Sequence, residues 1–511
     1  MNRGNPGVIL LILFLMLGGL YSMASVLLTS GNTIGEMCRF LLVGGFVFCL
    51  ISPRVGFFIW LTFCGYNDLV KRLLVIGGRV TQDDLTFVLG ITPAMFGGII
   101  TSLIVGGLMH SRPVTMRDWR ALGIGILLML LAGAAAARHP GAGVNGVLQA
   151  MANDGLYSLL LFVLPVLFHT SKDVQQIWRF LVFAFAPVAI YGVVQQVCGF
   201  ADFEIEYLMS GLSVEAKQLY SGQVRAFSTL NSPTALSVVC ACLAVLSLYL
   251  GFGSQKPGQK PVLARPLAVL FFFIHSAGLV ASASRTPMMI PMLAVVGGWC
   301  FAKVGRTRVF YTVSVGAFVG LVLISPWLAP RLDDISVAVA SAGPSGGFLA
   351  NMIVLGTYWD RVQGFASVLM NPAAWTLFGF GVREDGTGVY FYHDPVSEIL
   401  VKYGALALAG TLLTLFLVLR TFHRTAWSMK EAASRKFAAR MIALTFSLVM
   451  ISAIGGSVLS TFPNNILFWM SLSTVVVISR ESLMAARKSS QPAMGQARRP
   501  LVDPQPHPHL V

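Results

Sequence analysis

The chain keeps returning to uncharged, apolar runs of the length a bilayer requires. A hydrocarbon core about 30 Å thick takes roughly 20 apolar residues per helix. Candidate spans fall at 7–29, 38–51, 55–66, 85–109, 118–137, 155–168, 177–198, 234–253, 266–283, 287–302, 309–327, 396–420, 438–461 and 466–479. Of the 511 residues 56% are hydrophobic and 11% charged, and the mean hydropathy is +0.75, whereas soluble domains carry roughly a quarter charged residues. The expected fold is all-α, a polytopic transmembrane bundle of about 12–14 helices in one domain over 1–479, with a basic, proline-rich, disordered cytoplasmic tail at 480–511.

Two details of this segmentation stay open. The spans 38–51 and 55–66 are short and meet at Ser52-Pro53-Arg54, so they read either as one kinked span or as a hairpin that does not fully cross. The first run, GVILLILFLMLGGLYSMASVLL after Arg3, has signal-peptide composition without a small-x-small cleavage site, and is expected to stay as the first helix.

Basic clusters at Arg112/Arg117/Arg120, Lys256/Lys260/Arg265, Lys303/Arg306/Arg308 and Arg424/Lys430/Arg435/Lys436 alternate along the chain with loops holding most of the acids, Asp154 among them. Lys and Arg next to helix ends are retained on the cytoplasmic side, so both termini are placed there. Lys71, Arg72 and Arg79 break this pattern by falling in an outer loop. The net charge of +15 reads as topology and membrane-lipid attraction. Without a basic-aromatic surface, no nucleic-acid partner is expected.

The seven cysteines lie in or beside apolar runs, which points to packing and not to a disulfide framework. No glycine-rich loop ends in Lys-Ser or Lys-Thr, so no nucleotide site is expected, and no cofactor or metal is expected.

Two outer loops, 199–233 and 328–395, are far longer than the other connections. Long loops in a compact bundle are where binding and chemistry concentrate. The segment GFLANMIVLGTYWDRVQGFASVLMN has helical apolar spacing interrupted by Asp360, Arg361 and Gln363, which predicts an amphipathic interfacial helix ended by Pro372.

Arg225 precedes a polar turn leading into a span, Arg285 sits in a short turn between two spans, and His393 stands before another. The plain reading has Arg285 reaching lipid phosphates and Arg225 paired with Glu204, Glu206 or Glu215. Jointly the three meet the needs of glycosyl transfer from a lipid pyrophosphate. Planar guanidinium forks neutralise pyrophosphate oxygens without a metal, and an imidazole takes the proton of the acceptor hydroxyl near neutral pH. Asp394 or Glu398 would orient that imidazole.

The stretches RAFSTLNSP at 225–233, SASRTP at 282–287, LFGFG at 377–381 after an arginine-bearing helix, and YHDPVSEILVKYG at 392–404 resemble the bacterial O-antigen ligase and polysaccharide polymerase superfamily of integral membrane glycosyltransferases. Asp394 stands where that family more often has asparagine, and Ser232 splits its Asn-Pro pair. The resemblance implies a metal-independent, inverting transfer of glycan from undecaprenyl pyrophosphate at the periplasmic face of the inner membrane. Arg225 and Arg285 would bind the donor, Arg361 would be a further polar group of the large loop, and His393 would be the base.

The reading favoured is a polymerase for exopolysaccharide or O-antigen. Its partners would be the undecaprenyl-pyrophosphate-linked oligosaccharide, an acceptor glycan, membrane lipids and a chain-length regulator or other assembly proteins. The alternatives are a ligase acting on lipid A core or protein, a metal-dependent transferase using Asp202, Glu204 and Glu206, and a non-enzymatic lipid-linked sugar carrier. An ion-coupled carrier usually places ionisable groups at mid-membrane, and the spans as drawn are nearly free of them.

Overall fold

The computed structural model describes residues 33–75, 82–138, 143–210, 219–220, 223–253, 260–316, 367–381, 395–455 and 461–490, with isolated positions at 320, 331 and 334. The expected first helix at 7–29 and nearly all of the amphipathic segment lie outside these residues. Nearly all of what is described is helical. The exception is a two-residue ladder pairing Leu219–Tyr220 with Gln223–Val224 in the loop before Arg225. Seven helices among the described residues are long and apolar enough to cross a membrane. The chain is an all-α polytopic helix bundle.

Helices α1 (Thr33–Ile51) and α2 (Pro53–Val75) settle the first open point of the sequence. Glycines give their relative directions. In α3 (Gln82–Leu108) Gly90 faces Leu42 and Gly98 faces the Phe46 backbone, so α1 and α3 run parallel. Helix α2 runs the other way. Its Arg54 donates to the Leu167 carbonyl at 3.0 Å, and its Arg72 reaches the opposite end of the bundle, on Glu204. Ser52 is therefore a hairpin turn between two helices. It also follows that Lys71 and Arg72 belong to the last turns of a helix and not to a loop, and each is paired there, Lys71 with Asp68 at 3.1 Å and Arg72 with Glu204 at 3.2 Å.

The walk continues through α4 (Met116–Ala137), α5 (Gly143–Ala150), α6 (Leu160–Leu167), α7 (Ser171–Ala184), α8 (Ala186–Cys198), α9 (Asp202–Met209), α10 (Pro233–Gly251), α11 (Arg265–Ala281) and α12 (Met289–Cys300). After a helical stretch at 304–316 and the region of the large loop come α13 (Pro395–Tyr403), α14 (Ala405–Ser428), α15 (Ala432–Gly455) and α16 (Asn464–Ser490).

Helix α10 is the axis of the bundle, with Ala235, Val238, Ala241, Ala244 and Val245 all fully buried. Small residues let neighbours approach its backbone, as close packing in lipid requires. Gly278 of α11 meets Cys240 and Ala189, and Gly251 meets Ala268. Six of the seven cysteines are buried and Cys198 is exposed, all as free thiols. His275 is fully buried and bonds the Val182 carbonyl at 3.1 Å.

The last helix runs on to Ser490, so the first part of the expected disordered tail is helical. There Arg480 pairs with Asp118 at 2.5 Å, and Glu481 accepts from the Ser171 backbone N–H at 2.7 Å. Both contacts lie at the bundle end bearing the basic clusters.

Two spans drawn from the sequence are broken. The span expected at 155–168 begins earlier, covering Gly146–Leu167, and between α5 and α6 it carries a π turn at Met151–Gly155 and a 3₁₀ turn at Leu156–Leu159. Asp154, expected in an outer loop, thus sits inside a span. The break follows from close packing, because Gly155 lies directly on the backbone of Met129 in α4, where no Cβ fits.

The span expected at 396–420 is two helices parted at Gly404, whose φ of 92° only glycine adopts readily. A Cβ there would collide with the Leu377 carbonyl and the Gly379 amide. Gly404→Ala is expected to destabilise the fold by about 1–3 kcal/mol, measurable as a lowered unfolding midpoint in detergent; an unchanged midpoint would mean that this junction relaxes freely.

Candidate functional site

At the end opposite the basic clusters the chain assembles a buried polar scaffold. It is built on Arg72, 1% exposed, and Glu204, 0% exposed. The Arg72 guanidinium donates to Glu204 Oε1 at 3.2 Å and to the Leu230 carbonyl at 2.6 Å, and lies 4.6 Å above the Phe227 ring. Two charges taken out of water persist together only when paired and hydrogen-bonded. Glu204 meets that condition, since it also accepts from Gln195 Nε2 at 2.5 Å and from the Ala201 N–H at 3.2 Å.

Gln195, 3% exposed, reads the loop from its other end. Its Oε1 accepts from the backbone N–H groups of Phe227 and Ser228 at 3.1 and 2.6 Å. Ser228 sits at φ 55°, a conformation uncommon outside glycine, and its hydroxyl donates to the Val188 carbonyl at 2.5 Å. Thr229 donates to the Gly65 carbonyl at 2.7 Å. Every residue from Ala226 to Leu230 is buried. The segment after Arg225 is thus a fixed turn, gripped by α2 and α8 and backed by Glu204 of α9 through Arg72 and Gln195.

Asn231-Ser232-Pro233 ends that turn as a helix start. Ser232 Oγ accepts from the Ala235 N–H at 3.2 Å, and Pro233 occupies the first helical turn. Ser at the cap with Pro next is a favoured opening. The serine that splits the expected Asn-Pro pair is therefore the cap itself.

Arg225 is half-buried at the head of this turn. Of its three expected carboxylate partners, Glu204 is held by Arg72 and Glu215 lies outside the described residues, and Glu204 is too enclosed and too fully used to serve as a metal ligand beside the exposed Asp202 and Glu206. Arg285, also half-buried, precedes the 3₁₀ turn Thr286–Met288. That turn packs against α10, whose first residue closes the Arg225 segment. Both arginines therefore lie at the same end of the bundle.

The other two motif stretches join each other. Phe380 N–H donates to the Val401 carbonyl at 2.7 Å and Gly381 N–H to that of Lys402 at 2.9 Å, while Ala405 N–H returns to Thr376 at 2.8 Å. Gly379, at φ 69°, lies on the Gly404 backbone with no room for a Cβ. Beneath them Val368, Ala374, Leu400, Val401 and Leu408 form a small apolar cluster. Glu398 is buried on α13. Helix α15 contacts both the Thr286–Met288 turn and α13, and so bridges the two halves. His393, Asp394 and Arg361 lie outside the described residues.

Sequence reasoning did not find Arg72, Gln195, Asp154, Lys402 or Tyr403. Arg72 had a signal, the basic charge at an end of the bundle whose loops hold most of the acids. Gln195 had none, since an uncharged residue near the end of an apolar run carries no mark of its partners. Gln195→Leu leaves the Phe227 and Ser228 N–H groups without their acceptor and is expected to cost about 2 kcal/mol. Proteolysis within 225–233 should then accelerate in the folded protein; unchanged cleavage would show that the turn does not depend on Gln195.

No protein-family model matches this chain, and no curated protein matches it.

Proposed function

We propose that the protein is a membrane glycosyltransferase that polymerises a polysaccharide, moving glycan from undecaprenyl pyrophosphate to the hydroxyl of an acceptor sugar at the periplasmic face of the inner membrane. The observation that carries this reading is the pair of arginines on rigid turns at one end of the bundle. Half-buried guanidinium groups held in fixed turns are suited to the oxygens of a pyrophosphate leaving group, whose charge grows in the transition state.

In this reading Arg225 and Arg285 hold the donor pyrophosphate and stabilise it as it leaves. His393 takes the proton from the acceptor hydroxyl, which attacks the anomeric carbon as the bond to phosphate breaks, with inversion. Asp394 or Glu398 holds the resulting imidazolium charge, and Arg361 adds a polar contact from the large loop. Transfer to lipid A core or to protein uses the same groups with another acceptor, so ligase and polymerase differ in the acceptor alone.

A carrier without chemistry is favoured by one observation, the Asp154–Lys402 ion pair inside the bundle, since ionisable groups at membrane depth mark transport pathways. Incubation of the reconstituted protein with a lipid-pyrophosphate-linked repeat separates the readings. New glycosidic bonds support the transferase, and movement of intact donor across the bilayer supports the carrier.

A further inference from the structure

The π turn between α5 and α6 carries a carboxylate, Asp154, inside a membrane-length helical segment. Asp154 Oδ2 receives the Lys402 ammonium in a short ion pair and the Tyr403 hydroxyl at 2.5 Å. The exposure of the Lys402 and Asp154 side chains is 15% and 14%. Asp154 neighbours Gly155, which lies at the level of Met129, roughly two turns (~12 Å) inside the outer end of α4.

The same segment is pinned from a third helix. Asn465, in the first turn of α16, donates from Nδ2 to the Asn153 carbonyl at 2.9 Å, and Phe462 lies 5.8 Å from the Tyr157 ring. The broken segment is therefore fixed before it meets α13. Lys402 and Tyr403 are the last residues of α13, and the segment holding His393 leads directly into its first residue, Pro395. At the other end of the ion pair stands the α4–α6 hairpin, which contributes none of the four motif stretches.

We propose that Asp154 is a positioning residue for the transfer reaction. By holding Lys402 and Tyr403 it fixes the depth and rotation of α13, the helix whose first residue follows His393 by two positions in the sequence. A charge pair shielded from bulk water holds tightly, and a helix of nine residues forms only marginally without tertiary anchors. This rests on the proposed transferase reading, because it assigns His393 the role of base. The donor arginines are anchored elsewhere, through Arg72 and α10, so the two supports are separable.

The test uses the full chain in lipid nanodiscs with an undecaprenyl-pyrophosphate-linked repeat unit. Asp154→Asn is expected to lower kcat at least about tenfold, as small displacements of a reacting group do, while KM for the donor shifts less than about twofold. Amide hydrogen exchange should rise within 395–403 and stay unchanged within 233–251. Tyr403→Phe, which keeps the ion pair, should fall between Asp154→Asn and wild type. The exchanged pair Asp154→Lys with Lys402→Asp should recover both kcat and protection.

Wild-type kcat and exchange in Asp154→Asn would overturn the proposal, as would exchange rising equally throughout the bundle or an exchanged pair no better than the single variants. If the wild-type protein transfers no glycan, the reading of His393 fails, and the exchange measurements alone then decide whether Asp154 anchors α13.

Discussion

Under the proposed transferase reading, Arg285→Ala is expected to lower the rate of glycan transfer by about 10²–10³, the usual loss when one preorganised group facing developing negative charge is removed. The effect should fall on kcat and kcat/KM together, because the charge on the departing pyrophosphate exceeds that of the bound donor. Arg285→Lys should recover only part of it, since a point charge lacks the planar fork that spans two phosphate oxygens. Arg285 is half-buried in a short turn whose backbone closes on itself, Met288 N–H donating to the Arg285 carbonyl at 3.0 Å. The fold should therefore survive the truncation. Initial rates on a lipid-linked donor, set beside the unfolding midpoint, check this. A rate within a factor of about two of wild type would remove Arg285 from the donor site.

Arg72→Met acts through the fold. It strands Glu204, 0% exposed, with a charge and without its cation, and leaves the Leu230 carbonyl without its donor. Breaking a buried ion pair from one side costs about 3–5 kcal/mol, a large part of the total stability of a typical protein. The loss should begin locally, because Glu204 and Gln195 together hold the turn of Phe227 and Ser228. The double variant Arg72→Met with Glu204→Leu removes both charges and should recover much of the stability, as apolar replacements of buried pairs do. Unfolding midpoints of the single and double variants in one detergent give the comparison. A single variant as stable as wild type would mean that water already reaches Glu204.

The helices were legible where the physics is one-dimensional. A run such as 118–137 or 234–253 can be satisfied only as a helix in lipid, and the structure has helices at Met116–Ala137 and Pro233–Gly251. Breaks were legible only in part. Pro53 marked the hairpin at Ser52, but Gly404 was read as part of a continuous run because glycine is common in membrane helices. Its positive φ is dictated by the approach of Gly379 from the large loop, a contact remote in sequence. The break at Asp154 was invisible for the same reason, since it depends on Met129 of another helix.

For the candidate site, the arginine turns were visible because a charge beside an apolar run is conspicuous. Their supports were hidden because they pair over long separations: Arg72 with Glu204, Gln195 with the backbone at 227–228, and Lys402 with Asp154. A composition rule registers Arg72 as an exception, and only the fold shows that the exception has a partner. Ionisable groups within the helices were equally hidden, because Arg72 and Asp154 each find their partner on another helix.

The most direct measurement is transfer by the purified protein in proteoliposomes, with chelator present, given an undecaprenyl-pyrophosphate-linked repeat unit with and without lipid A core, as wild type and as His393→Ala. A ladder of polymer from the donor alone, insensitive to chelator and lost in His393→Ala, is expected. Transfer that appears only with lipid A core would make the protein a ligase using the same groups. Absence of any new glycosidic bond, or a ladder that His393→Ala leaves intact, would contradict the account.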